Sequence, residues 1–195
     1  MPPAPWGGGA EECALTIKGM EIIASPDPRG DGRGKHLGNV ICLRGGDDLK
    51  TTHTIPESLP GWTATQGIRD EEYARWFLDR LDMFPEVKEK IYGVPPDIHS
   101  ATYKREEIAL MVRWYEDLSM ARDALGICLF GVQTTSAIGP TESAGLFSAC
   151  LGSPFSPQDM MRAGERIVNL LKAYNLRHGW ARQTTPGREG SSPSP

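Results

Sequence analysis

The 195-residue sequence has no apolar run near the roughly 20 residues that a membrane-spanning helix needs, which excludes a helical membrane protein. It has no excess of positive charge. Twenty-one Lys and Arg stand against 25 Asp and Glu, a net charge of −4, so the basic footprint of a nucleic-acid binder is missing. The N-terminus, MPPAPWGGGAEE, has neither the basic nor the apolar region of a secretory signal. None of the four cysteines, Cys13, Cys42, Cys128 and Cys150, stands in a C-x-x-C pair, so a local zinc or cluster motif is excluded. Four thiols without a secretion signal fit a reducing cytoplasm, and Cys13, Cys42 and Cys150 read as small buried hydrophobes. Walker A, a strand-borne G-x-G-x-x-G and G-x-S-x-G are all absent. His36, His53, His99 and His178 lie in no H-E-x-x-H and beside no cysteine at ligand spacing, and they read as solvated or supporting residues.

What is abundant is punctuation. Twenty-two glycines and 16 prolines break the chain into short elements. Residues 1–9 (MPPAPWGGG) and 186–195 (PGREGSSPSP) read as a flexible tail and a disordered tail around one domain spanning 10–185. ALTIKGMEII (14–23) favours a strand pair with a turn at Gly19, and SPDPRGDGRG (25–34) is turn chemistry. His36–Leu43 is short and apolar enough for a helix, and RGGDD (44–48) is a polar glycine loop.

Helical periodicity dominates the rest. Residues 69–82 place Tyr73, Trp76, Phe77 and Leu81 on one face. Phe84–Tyr92 carries Pro85 near its start and Gly93 as a stop. Residues 102–124 form the clearest helix, with Ile108, Val112, Tyr115 and Leu118 on one side and Gly126 as its stop. Thr141–Leu151 follows, with Thr141 as cap and Gly152 as stop. Ser156-Pro157 opens the last helix, whose apolar face reads Met160, Ala163, Ile167, Leu170, Leu171 and Tyr174, closed by Asn175 and Gly179. The fold class is mainly α, a helical domain with a short N-terminal strand and loop region.

Three segments carry chemistry beyond this pattern: ALTIKGMEIIASPDPRG (14–30), DALGIC (123–128) and GERIVNLLKAYNLRHGWAR (164–182). In order and rough spacing they resemble the tungsten-containing aldehyde:ferredoxin oxidoreductase family, whose D-x-x-G-L-C motif DALGIC matches with Ile127 in the leucine place. The resemblance implies the family's helical C-terminal domain. It implies that Asp123 contacts a pterin of a tungsten bis-pterin cofactor of the molybdopterin type, with Gly126 and Ile127 shaping the loop, and that Cys128 is one of four thiolates on a [4Fe–4S] cluster. The residue types suit these roles. Thiolate is the soft ligand that iron–sulfur clusters require, a carboxylate accepts charge-assisted hydrogen bonds, and glycine permits a sharp turn between them.

The resemblance also marks the loops SPDPRG and LRGGDDL as lying near the cofactor. In the family the second loop ends in a histidine that serves as an acid–base group. Here Asp48 holds that place, with His53 five residues on, and these two are the candidate proton carriers. Arg29 and Arg44 read either as contacts to cofactor phosphate or as surface salt bridges. Glu165, Arg166, Asn169, Asn175, Arg177 and Arg182 match the family's last helix and read as structural, with Arg177 and Arg182 pinning its exit.

The family's C-x-x-C-x-x-x-C run and its D-x-x-G-L-D motif do not occur here. The implied reading is therefore a C-terminal fragment of a cytoplasmic enzyme that oxidises an aldehyde with water to a carboxylate and passes electrons to ferredoxin. It is inactive alone, and its site is completed by missing N-terminal domains or a partner chain, with a homodimer as one arrangement. Nucleic acid and membrane are not among the expected partners. A relative that reduces an acyl-CoA ring, and a cofactor-free relic or interaction domain, are the alternatives.

Overall fold

The computed structural model describes residues 16–17, 20–21, 33–47, 49–51, 70–96, 104–132 and 138–179. Two short strands, β1 (Thr16–Ile17) and β2 (Met20–Glu21), pair antiparallel with Thr16 opposite Glu21 and Ile17 opposite Met20. Helices follow: α1 (Arg33–Ile41), α2 (Asp70–Arg80), α3 (Pro85–Tyr92), α4 (Arg105–Ala124), α5 (Leu129–Val132), α6 (Pro140–Leu151) and α7 (Pro157–Arg177). The mainly α expectation with one early strand pair holds. The two tails, Cys13 and most of the Pro/Gly-rich stretches lie outside the described residues.

Local chemistry explains the helix ends. Pro85 starts α3 at a position whose N–H has no helical partner anyway, and Gly93 ends it at φ 75°. The Glu107 carboxylate accepts from the Lys104 N–H at 2.6 Å at the head of α4. Ser156 caps α7, its Oγ accepting from the Asp159 N–H at 3.0 Å. Ser156→Ala is expected to cost about 1 kcal/mol in chemical denaturation. At α6 the expectation is corrected. The N-cap is Gly139 with Pro140 in the first turn. Thr141 instead donates to Asp82 through both its N–H (2.7 Å) and its hydroxyl (2.9 Å), tying the exit of α2 to the start of α6.

Helix α4 is the axis of the domain, packed by α1, α3, α5, α6 and α7. From Met111 to Arg122 every residue but Arg113 is buried, including Glu116, Asp117, Ser119 and Arg122. The main core joins Phe77, Leu78, Leu81, Met83, Ile91 and Tyr92 to Ile108, Met111, Val112, Trp114, Tyr115, Leu118 and Met161. A smaller cluster joins Ala121, Ala144 and Met160, with Phe147 and Phe155 edge to face at 4.9 Å beside it.

Two predicted faces are rotated in the structure. On α2 the inward residues are Phe77 and Leu78, with Leu81 just beyond, while Trp76 is exposed and stacks under the Arg80 guanidinium. On α7 the buried stripe is Met160, Met161, Gly164 and Val168, whereas Leu170, Leu171, Tyr174 and Leu176 are exposed. Gly164 is the reason for the second rotation. A Cβ there would collide with the main-chain carbonyl of Asp117, so α7 meets the backbone of α4 at this point.

Candidate functional site

The segment DALGIC forms the C-terminal end of α4 and its exit. The helix closes with two crossed main-chain bonds: Ile127 N–H to Arg122 C=O and Gly126 N–H to Asp123 C=O, each 3.0 Å. This reversal requires a residue at positive φ, and Gly126 supplies it at 73°. Immediately beyond the turn, Cys128 is exposed and precedes α5. Asp123 lies at the start of the turn with its side chain 38% exposed. The turn thus places a carboxylate and a thiol at one outward-facing end of the central helix.

A second loop reaches the same place. Residues 42–47 leave α1, and Asp47 accepts the Leu49 N–H at 2.7 Å, leading on to 49–51. Thr51 is fully buried against Gly38 of α1, and Asn175 of α7 donates to the Leu43 carbonyl at 3.0 Å. So anchored, the loop sets the Lys50 ammonium on the Asp123 carboxylate. The residue that follows LRGGDDL is therefore paired with the first residue of DALGIC, 73 positions on. Lys50 is the residue beside the candidate site that sequence reasoning missed. Its pairing is non-local, and a surface lysine carries no signal of its own.

Arg44 pairs with Asp47 within its own loop and keeps half of its side chain in solvent. Asp48, His53 and Arg29 lie outside the described residues, as does Arg182. Among the described residues, Asn175 ties the exit of α7 to another element. Of the cysteines, Cys42 is buried as expected, whereas Cys150 is exposed on α6, contrary to expectation.

A separate polar groove of about 320 Å³ runs between α4 and α7, lined by Arg113, Glu116, Asp117, Glu165, Val168, Asn169 and Lys172. Glu116 pairs with Lys172 at 3.3 Å, Asp117 with Arg113 at 3.7 Å, and Arg113 also with Glu165. Burial pushes the Asp117 carboxyl up to about 6, and the cations beside it offset only part of that cost. Its pairs are internal, so the groove reads as interhelical packing rather than as part of the loop site.

Among the described residues, no three or more His, Cys, Asp or Glu side chains converge to hold a metal ion. A four-thiolate cluster therefore does not fit the described residues alone, whereas a single outward thiolate ligand does. No described helix is long and apolar enough to cross a membrane.

Comparison with known proteins follows this geometry. A family model described as aldehyde ferredoxin oxidoreductase, domains 2 and 3, matches residues 4–193. The tungsten-containing aldehyde ferredoxin oxidoreductase of Thermococcus kodakarensis is 28% identical over 171 residues, covering 88% of this chain and 22% of that protein. The protein of the same name from Pyrococcus furiosus is 27% identical over 185 residues, covering 95% of this chain and 24% of that protein. That of Pyrococcus abyssi is 35% identical over 96 residues, covering 46% of this chain and 15% of that protein. No solved structure matches. The chain spans about a quarter of the length of the first two relatives. With nearly all of its residues matched, the chain belongs to the aldehyde ferredoxin oxidoreductase family, over the part described as domains 2 and 3.

Proposed function

We propose that this chain is the cofactor-facing C-terminal part of a tungsten-dependent oxidoreductase that converts an aldehyde and water to a carboxylate and delivers electrons to ferredoxin. The observation that carries the reading is the placement of Asp123 and Cys128 at the exposed end of α4, with the glycine loop drawn beside them by Lys50. When bound, a tungsten bis-pterin would supply the oxidation chemistry and an iron–sulfur cluster the path for electrons. The chain's own residues bind and orient. Asp123 offers a carboxylate to pterin N–H groups. Lys50 now balances that charge and can turn to an anionic part of the same cofactor. Cys128 offers one thiolate, the other three coming from the remainder of the enzyme. Asp48 and His53, in and beyond the same glycine loop, are the proposed proton carriers.

The test is anaerobic isolation of the protein from its native cells with whatever it is assembled with, followed by metal analysis. Iron and tungsten are expected together in the wild type. Cys128→Ala is expected to strip iron, and Asp123→Ala to lower tungsten while keeping the helical fold. A wild-type preparation free of both metals overturns the proposal, as does a stable four-iron cluster reconstituted on the isolated monomeric chain.

A further inference from the structure

One buried residue touches both ends of the segment that carries the thiol, one through its backbone and the other through its side chain. Arg122, in the last turn of α4, is 7% exposed. Its main-chain carbonyl accepts the N–H groups of Leu125 and Ile127, each at 3.0 Å, which closes the turn just before Cys128. Its guanidinium Nη2 donates to the carbonyl of Ile138, just before α6. Residue 122 thus grips position 127 through its backbone and position 138 through its side chain. Cys128 and α5 lie on the chain between those two points.

The grip is costly, which marks it as more than incidental packing. Burial disfavours the charged guanidinium, and Tyr115 and the nearby carboxylates of Asp82 and Glu142 only partly offset this. Its Nε is buried with no hydrogen-bond partner among the described residues. Packing alone would be served at lower cost by an apolar side chain of similar length. What such a side chain lacks is the bond to Ile138.

We propose that Arg122 is the positioning residue for Cys128, holding positions 127 and 138 to the end of α4 so that the thiol is presented in one place. The proposal rests on the reading of Cys128 as a ligand, but its test needs neither iron nor activity. The full chain is labelled with a nitroxide at Cys128, in a background in which Cys13 and Cys150 are serine. A second preparation is labelled at Cys150, with Cys13 and Cys128 as serine. Arg122→Met keeps the length of the stem and removes the donor, and Arg122→Lys restores a donor.

In Arg122→Met the label at 128 is expected to tumble at least about threefold faster, while the label at 150 is unchanged. Arg122→Lys is expected to return the label at 128 close to its restricted wild-type spectrum. The proposal is overturned if the label at 128 does not respond to Arg122→Met. It is also overturned if both labels loosen together, or if Arg122→Lys loosens position 128 as much as Arg122→Met does. Failure here leaves the ligand reading standing, and loss of the ligand reading in metal analysis leaves the tether standing.

Discussion

Gly164→Ala is expected to destabilise the domain by about 3 kcal/mol, a fall in Tm of roughly 6–12 °C for a chain of this size. On an exposed helix the same change stabilises, because alanine exceeds glycine in helix propensity by about 1 kcal/mol. Here the new methyl has nowhere to go. Its position collides with the Asp117 carbonyl oxygen, and it lies 2.7 Å from that residue's carbonyl carbon and 3.2 Å from its Cα. These are backbone atoms in the middle of the central helix, not the end of a side chain that can swing aside. Relief requires α7 to lift away from α4, and that strips cover from Met161 and Val168, both buried in this contact. Gly145→Ala on α6 is the paired control. Nothing lies within 4 Å of its added methyl, so it is expected to leave Tm unchanged or raise it. Thermal unfolding of the two variants beside the wild type settles the comparison, and a Gly164→Ala protein as stable as the wild type would show that the helices are not in backbone contact.

The same glycine shows why part of the fold is hidden in the sequence. A period-3.6 reading of α7 scores Leu170, Leu171 and Tyr174 as inward because they are apolar, and it gives Gly164 no weight. The structure does the reverse, because the depth of a helix contact is set by what is small enough to permit it. On α4 the apolar pattern leaves a different part unread. Glu116, Asp117 and Arg122 are charged and carry no apolar signal, yet all three are buried: Glu116 pairs across to α7, Asp117 pairs with Arg113 of the same helix, and Arg122 is tethered to the start of α6. Helix ends were the legible part, because capping is local. Ser156-Pro157, Pro85, Gly93, Gly126 and Gly152 all act where their residue types place them. The site is legible only as far as its motifs are contiguous. DALGIC can be read directly, whereas its link to the glycine loop through Lys50 depends on the folding of α1 and the loop after it.

Asp117 turns the burial of charge on α4 into a measurable pH dependence. An ordinary aspartate titrates near 3.8, whereas burial raises this one to about 6 in the folded protein. The unfolded chain therefore ionises Asp117 freely above pH 4, while the folded chain must hold a buried carboxylate at pH 7. Folding takes up a proton between these two values. Asp117 thus lowers stability at neutral pH, and the penalty fades as pH falls from about 6 toward about 4. A shift of this size corresponds to a penalty on the order of 2–3 kcal/mol at pH 7.5. The groups facing it are Arg113, which favours the charged form, Glu165 and Glu116, which oppose it, and Lys172, which favours it. Asp117→Asn keeps the shape of the side chain and mimics the protonated form. It is expected to be more stable than the wild type at pH 7.5 by about 2 kcal/mol and nearly equal to it at pH 4. Urea unfolding of both proteins across that range isolates the effect, since the titrating groups not coupled to Asp117 cancel in the difference. A gap between the two that does not change with pH would mean that Asp117 stays ionised in the fold and that the groove is wetter than the packing of α7 on α4 implies.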